Sequence, residues 1–417
     1  MTRLWIVNHY AGGPGIGTGW RHWELARRWR SAGIDVRIIA AAVGIGGVNR
    51  SESGERDISG VPFHFLSCPT YSGNGLRRAA NIYGFQRQVA AALPGLEARL
   101  GGPPSVLLAS SPQPLALLPC TSFCSSRGIR LLVEFRDLWP ESLIQLGGMS
   151  RSHPFVWWCS RAIRRSVSVA ETVISPLEGI DRYLRDTGLP NRPTLVVPNG
   201  VDLDGTAADN LPEELERAIS TAKVNGRFIV LYAGALGVPN AMGQLFEAVK
   251  LLAPSTRERL ALVVIGEGTQ RQELERRGQA LRPTLVTFAG PQPEPIVRLV
   301  ATRCDAGFIG WLERPLYRYG TSPQKVPLML AAGLPVIEAA PSCRTASLPA
   351  DVGWSCPAER PAELAAILAN IAATRRSRLT EMRIAATSLA QRLWGWDGIA
   401  QRAGLALGFP LKGSDGS

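Results

Sequence analysis

The stretch Tyr317–Glu338, YRYGTSPQKVPLMLAAGLPVIE, decides how the rest of the chain is read. Ser322 is a favoured N-cap, Pro323 suits the first position of a helix, and Gly333 suits a left-handed C-cap. Together they predict a short helix over 323–332, followed by a buried strand running to Glu338. A helix that opens from a glycine- and serine-containing loop turns unpaired N–H groups, and the positive end of its dipole, toward an anion. Lys325 falls in the first turn. Lysine occurs at only four positions (Lys223, Lys250, Lys325, Lys412) of 417 residues, so a lysine here carries weight. An ordinary capped surface helix is the competing reading of this stretch taken alone.

Upstream of it, short apolar runs alternate with helical patterns. Strands are expected at 228–233, 260–265, 286–289 and 306–309, and a further one at 352–355 before a helix from Pro361. Glycines follow two of these strands, Gly234-Ala235-Leu236-Gly237 and Gly266-Glu267-Gly268. The first half repeats the pattern. Leu4–Asn8 runs into the glycine-rich turn HYAGGPGIGTG and then a helix over 20–31. Further strands are expected at 35–41, 61–66, 105–109, 130–135, 172–175 and 194–197, with 43–60 as a loop. Strands alternating with helices mean parallel sheets covered on both faces. The expected organisation is two Rossmann-like doubly wound domains, at 1–204 and 205–385, with a helical tail at 386–417 packing back on the first. Pro198-Asn199-Gly200-Val201-Asp202 reads as a sharp turn ahead of a hinge at 203–210.

The glycine-rich turn does not hold the strict dinucleotide spacing, and no acidic residue ends the strand at 35–41, so NAD is not expected. Gly13, Gly15 and Gly17 would instead let the backbone approach a phosphate or sugar, or simply make a flexible turn. Arg77 and Arg78, after a polar loop, would meet an acceptor phosphate or stand as solvated arginines. Arg136-Asp137 ends the strand at 130–135, where working groups of open α/β sheets lie, and a structural ion pair is the alternative. Of the histidines, only His9, at a strand end, is a candidate for more than structure.

A formal charge of +12 suits nucleic acid, anionic lipid or phosphorylated substrates. The arginines are scattered and no nucleic-acid motif occurs, which ranks nucleic acid last. Seven cysteines form no CxxC pairs and lie far from the four histidines in sequence, arguing against a zinc site or a disulfide framework and for a reducing compartment. No signal peptide and no uninterrupted apolar span are seen, so a cytoplasmic location is expected. The helix from Pro154 carries Phe155, Trp157, Trp158, Arg161, Arg164 and Arg165, as an interfacial membrane helix or as a core helix with snorkelling arginines.

The motif order resembles the retaining nucleotide-sugar glycosyltransferases of family four, and within it the O-antigen and fucosaminyl transferase branch. The carrying stretches are IVNHYAGGPGIGTGWRHWELARRW, YSGNGLRRAANIYGF, VEFRDLWPESL, VVPNGVD, LYAGALG, VIGEG and YGTSPQKVPLMLAAGLPVI. The resemblance implies a GT-B architecture, two Rossmann-like domains facing across a cleft, with the acceptor in the first and a nucleotide-sugar donor in the second. It implies donor contacts at Gly234, Gly266, Glu267, Gly268, Tyr319, Gly320, Thr321, Ser322, Pro323, Gln324 and Lys325. Acceptor contacts fall to Gly13, Gly15, Gly17, Arg77 and Arg78. Lys325, Arg136 and Asp137 are the expected catalytic residues. Such enzymes need no metal or other cofactor: the donor's leaving phosphate oxygen takes the acceptor proton, so catalysis consists of stabilising the departing diphosphate and aligning the reactants.

The implied reaction moves an N-acetylated hexosamine or deoxyhexosamine from a UDP-sugar to an undecaprenyl-diphosphate-linked or polysaccharide acceptor, in lipopolysaccharide or O-antigen synthesis, with peripheral contact at the inner face of the cytoplasmic membrane. A catalytically silent scaffold that binds a partner transferase or the membrane is the alternative. Two departures bear on that choice. Leu328 stands where relatives have an acidic residue for the ribose hydroxyls, with Pro327 before it, and GALGVPNAM lacks the basic residues many relatives have there. Glu338, at a strand's carboxyl end, is the candidate replacement for the ribose contact.

Overall fold

A computed structural model of the chain describes residues 2–410, apart from 18, 74, 206, 344–347, 373 and 375. Thr18 of the glycine-rich turn, Asn74 of the polar loop, Thr206 of the expected hinge and the end of the expected tail from 411 therefore fall outside the description. The chain divides into two compact units, one of residues 1–198 with 396–417, the other Asn199–Gly395. The expected hinge thus lies within the second unit. So does the helix Arg376–Trp394, and only the helix Trp396–Ala406 and the residues after it belong to the first.

In the first unit, the described strands are β1 (Arg3–Asn8), β2 (Asp35–Ala41), β3 (Gly54–Ile58), β4 (Val61–Leu66), β5 (Val106–Ser110), β6 (Arg130–Glu134), β7 (Thr172–Ser175) and β8 (Thr194–Val196). They form one sheet in the order β3-β4-β2-β1-β5-β6-β7-β8. All neighbours are parallel except the β3–β4 hairpin at the edge. That hairpin corrects the expected loop over 43–60: Glu55, Arg56 and Asp57 are exposed edge residues, so β3 lacks the apolar run that marks a buried strand. The central strands are buried on both faces, which explains their continuous apolar sequence. The helix Arg21–Ser31 packs Trp23, Leu25, Ala26 and Trp29 against this sheet. The indole of Trp29 donates to the Ala400 carbonyl at 2.9 Å and meets Phe409 edge-on, fixing the returning C-terminal helix.

The second unit holds β9 (Phe228–Ala233), β10 (Leu260–Ile265), β11 (Leu285–Phe288), β12 (Ala306–Gly310), β13 (Val336–Ala340) and β14 (Gly353–Pro357). Their order is β11-β10-β9-β12-β13-β14, with every pairing parallel. In each unit the strand order reverses at one place, between β1 and β5 and between β9 and β12. The carboxyl ends of the strands beside such a switch point are where open α/β sheets take ligands.

Candidate functional site

The expected helix over 323–332 is shorter, Lys325–Ala331, and begins at Gln324 with no side-chain cap. Ser322 does not cap it, because its hydroxyl accepts from the Asn199 backbone N–H and its carbonyl from the Asn199 side chain. With the helix starting at Lys325, Pro327 sits in the first turn, where an N–H has no intrahelical partner in any case, and so costs no helix bond. Seven residues make about two turns, which leaves little macrodipole. Charge at this site therefore comes from Lys325 itself.

The Lys325 ammonium donates to Asn240 Oδ1 at 2.8 Å and lies 4.6 Å from the Tyr232 ring centroid. Neither neighbour is anionic, and no carboxylate pairs with it among the described residues. Burial lowers its pKa to about 8. A Cβ on Gly234 would stand 3.5 Å from the ammonium, so the absence of a side chain there keeps the approach to it open. Tyr232 ends near the carboxyl edge of β9, the strand at the switch point. Four residues before Lys325 in the chain, the Thr321 hydroxyl is buried with no hydrogen-bond partner among the described residues. Gly320 turns the loop at φ 96°, in the left-handed region. Tyr319 is buried and accepts from Arg318 at its hydroxyl, Pro323 is half-buried, and Gln324 is exposed. The stretch thus carries an ammonium with no carboxylate partner and a hydroxyl with no hydrogen-bond partner among the described residues.

The glycines after β10 have another explanation than phosphate approach. A Cβ on Gly266 would fall 1.9 Å from the Gly234 carbonyl oxygen, and one on Gly268 would fall 2.4 Å from that of Leu236. Both are required because two loops lie backbone to backbone, with Leu236 N–H donating to Glu267 and Gln270 N–H to Leu236. Glu267 is exposed and held by Arg271 at 2.6 Å, which lowers its pKa. Leu328 packs at the edge of the core, and Glu338 is buried, accepting from the Trp311 indole at 3.4 Å.

In the first unit, Gly13 is spaceless for a different reason. A Cβ there would press on Trp23 and Ile58 at 3.1 Å. Gly15 and Gly17 have φ of 74° and 96° with open space beside them, so their demand is conformational. Arg77 is exposed, whereas Arg78 is half-buried near His9 and Tyr10.

Arg136 and Asp137 are half-buried after β6. They are not a simple ion pair. Asp137 accepts from the Trp139 indole at 3.1 Å, and burial raises its pKa. Burial lowers that of Arg136, whose backbone N–H donates to Ser111 Oγ at 3.0 Å. The larger opposite charge acting on Arg136 is Glu134, ahead of Asp137, and Glu134 is wholly buried and taken up by Arg21 at 2.9 Å and His22 at 2.7 Å. Burial alone would raise the Glu134 pKa, but Arg21, His22 and Arg136 outweigh it and hold it well below the carboxylate range. Arg21 also donates to the carbonyls of Val197 and Pro198 at 2.7 Å. This network bolts the helix after the glycine-rich turn to β6 and sets where Arg136-Asp137 stands.

His9 follows β1 and Gln113 follows β5, so the two flank the switch point of the first sheet. Among the described residues, both ring nitrogens of His9, both amide atoms of Gln113 and the Asn81 carbonyl are buried without hydrogen-bond partners. Asn81 and Gln113 come near enough to favour protonation of the ring, yet burial dominates and lowers the His9 pKa to about 3. The ring is stacked 4.2 Å from Phe85. The Tyr10 and Tyr71 hydroxyls meet alongside at 3.0 Å.

Two family models match the chain. One, described as a glycosyl transferase 4-like domain, matches residues 16–200, and the other, glycosyl transferases group 1, matches residues 227–374. Between them they cover most of both sheets. The chain belongs to the GT-B glycosyltransferases. The fold agrees with sucrose-phosphate synthase from Thermosynechococcus elongatus, with a TM-score of 0.73 at 14% identity over 98% of each chain. HepE of Anabaena in complex with UDP-glucose aligns with a TM-score of 0.67 at 15% identity, over 98% of this chain and 100% of that one. WaaG, a glycosyltransferase involved in lipopolysaccharide biosynthesis, aligns with a TM-score of 0.67 at 14% identity, over 96% and 98%. No curated protein matches the sequence.

The sequence reading of this glycosyltransferase missed Asn240 and Tyr232 beside Lys325. Asn240 lies in GALGVPNAM, the segment noted for lacking a basic residue. It also missed Asn81 and Gln113, whose neighbours in sequence carry no motif. Only the position of Gln113 just beyond a strand could have flagged it.

Proposed function

We propose that this glycosyltransferase moves a sugar from a UDP-sugar to a hydroxyl of a lipid-linked or polysaccharide acceptor, with retention and without a metal. The carrying observation is the Lys325 ammonium, open beside Gly234 and balanced by no carboxylate among the described residues. A diphosphate supplies the missing negative charge. As the bond between the sugar carbon and the diphosphate oxygen breaks, charge grows on that oxygen, and a fixed ammonium there lowers the barrier. The acceptor oxygen bonds to the sugar carbon and its proton passes to the departing diphosphate, which leaves as UDP. Thr321 and Asn240 bind and orient around Lys325.

The acceptor reading draws support from the helix Pro154–Val169. Val156, Cys159, Ala162, Ile163, Ser166 and Val167 face the core, while Trp157, Trp158, Arg161, Arg164 and Arg165 are exposed. Trp157 is 65% exposed. Those arginines have no carboxylate partners among the described residues, which suits anionic headgroups with indoles at the interface. Among the described residues, no helix is long and apolar enough to cross a membrane. An N-acetylated hexosamine or deoxyhexosamine as the sugar, and a place in O-antigen synthesis, follow from the branch resemblance in the sequence, and WaaG is a neighbour from lipopolysaccharide synthesis.

The test is transfer of label from a panel of UDP-, GDP- and dTDP-sugars into a bacterial lipid extract, with EDTA present. Label entering the lipid fraction from a UDP-hexosamine supports the reading. Activity that appears only on adding a divalent cation contradicts the metal-free part, and binding of UDP-sugars without turnover favours the silent scaffold.

A further inference from the structure

The PNGVD segment takes no part in the reaction described above, yet one of its side chains grips the donor loop. Asn199, the first residue of the second unit, is buried to 7% exposure. Its Nδ2 donates to the Ser322 carbonyl at 2.7 Å, and its backbone N–H donates to Ser322 Oγ at 3.2 Å. These two bonds fix both the main chain and the hydroxyl of one residue. Ser322 stands between Thr321, with its unpartnered hydroxyl, and Lys325, three residues on. The loop lies between the turn closed by Gly320 N–H on Tyr317 and the helix at Lys325, and it has neither a capping side chain of its own nor a strand partner. Asn199 is itself held. Two residues later, Val201 N–H donates to the Trp394 carbonyl at 2.8 Å, and Gly205 packs against Arg298. The anchor is therefore tied into the second unit independently of the loop it holds.

We infer that Asn199 is a positioning residue, which sets the 320–324 loop and through it the Lys325 ammonium in the geometry that receives the donor diphosphate. This rests on the reading of Lys325 as the diphosphate partner. The chemistry fits asparagine alone among close relatives. Aspartate would set a carboxylate against a carbonyl oxygen, and alanine would leave that carbonyl without its donor. Ser322→Ala removes only the weaker, longer bond.

The experiment has two readouts on the full chain. Amide hydrogen exchange of the 320–325 segment is measured without nucleotide for wild type, Asn199→Ala, Asn199→Asp and Ser322→Ala, and UDP affinity is measured by calorimetry for the same proteins. Exchange in the segment should quicken about tenfold in Asn199→Ala, more in Asn199→Asp and less in Ser322→Ala. UDP affinity should fall in the same order, while the exchange of the β9 and β12 amides stays as in wild type. Unchanged exchange at 320–325 in Asn199→Ala, or loosening there with undiminished UDP affinity, overturns the inference. Wild-type protein that fails to bind UDP overturns the donor reading and the purpose given to Asn199. That failure is recognisable because the exchange arm uses no nucleotide.

Discussion

Lys325 and Asn240 meet at 2.8 Å from ammonium to amide oxygen, a charged donor on a neutral acceptor in a half-buried setting. Burial keeps the lysine pKa at about 8, below its ordinary 10.5. The sign follows from proton counts. Between those two values the unfolded chain keeps a proton that the fold has released, so stability rises with pH through the window. Below pH 8 both states are charged and the fold carries the full cost of the desolvated ammonium. Lys325→Met should therefore be as stable as wild type or more so at pH 7.5, and should lose the rise between pH 8 and 9.5 that wild type shows. Urea denaturation at several pH values checks both.

Acid should weaken the fold from an unusually high pH. His9, His22 and His64 are all held below the ordinary histidine value by burial. Each takes up its proton in the fold at a lower pH than its unfolded counterpart, so stability falls as pH drops through 6.5. For His9 the loss continues toward pH 3. Each fully shifted ring contributes about 1 kcal/mol of loss between pH 7 and 5.5. His9→Gln should flatten the profile by one such share, as read from denaturation midpoints.

Two glycine substitutions should set crowding added to a positive φ, at Gly266 with φ 144°, against a positive φ alone, at Gly15. Gly266→Ala places a methyl group 1.9 Å from the Gly234 carbonyl oxygen and should cost about 3–5 kcal/mol. Gly15→Ala meets nothing within 4 Å but keeps a left-handed φ of 74°, and should cost about 1–2 kcal/mol. Thermal denaturation of the two variants should rank them in that order.

These glycines also show what the sequence could tell. The alternation of apolar runs with helical patterns placed nearly every strand, because parallel strands buried on both faces leave continuous runs of Val, Ile and Leu. The edge strand β3 escaped because its side chains face solvent. The glycines of Gly266-Glu267-Gly268 were visible as a motif, but their cause, one backbone lying on another, is a tertiary fact. Ser322 had the chemistry of an N-cap and was claimed instead by Asn199, more than a hundred residues away. Lys325 stood out by its rarity and by its place after the glycine- and serine-containing loop, whereas Asn240 and Tyr232, which shape its environment, carry no local signal.

The exposed tryptophan–arginine face should bind anionic bilayers. Arg161, Arg164 and Arg165 together should strengthen binding to phosphatidylglycerol-containing vesicles over phosphatidylcholine by roughly a hundredfold at low salt, at about 1 kcal/mol each. Adding salt should erase most of the difference. Vesicle flotation of wild type and of a variant with all three changed to Ser, and of Trp157→Ser, measures it. Equal flotation with both lipids would remove the electrostatic part.

The central claim is that Lys325 supplies the charge that holds the donor diphosphate. The most direct measurement is calorimetric titration of UDP into wild type and Lys325→Met, in EDTA at pH 7.5, with folding of the variant confirmed by its unfolding transition. Saturable metal-free binding by wild type, weakened at least about thirtyfold in Lys325→Met, is the expected result, in keeping with about 2 kcal/mol for a charge-assisted bond. Equal UDP affinity in the two proteins would contradict it.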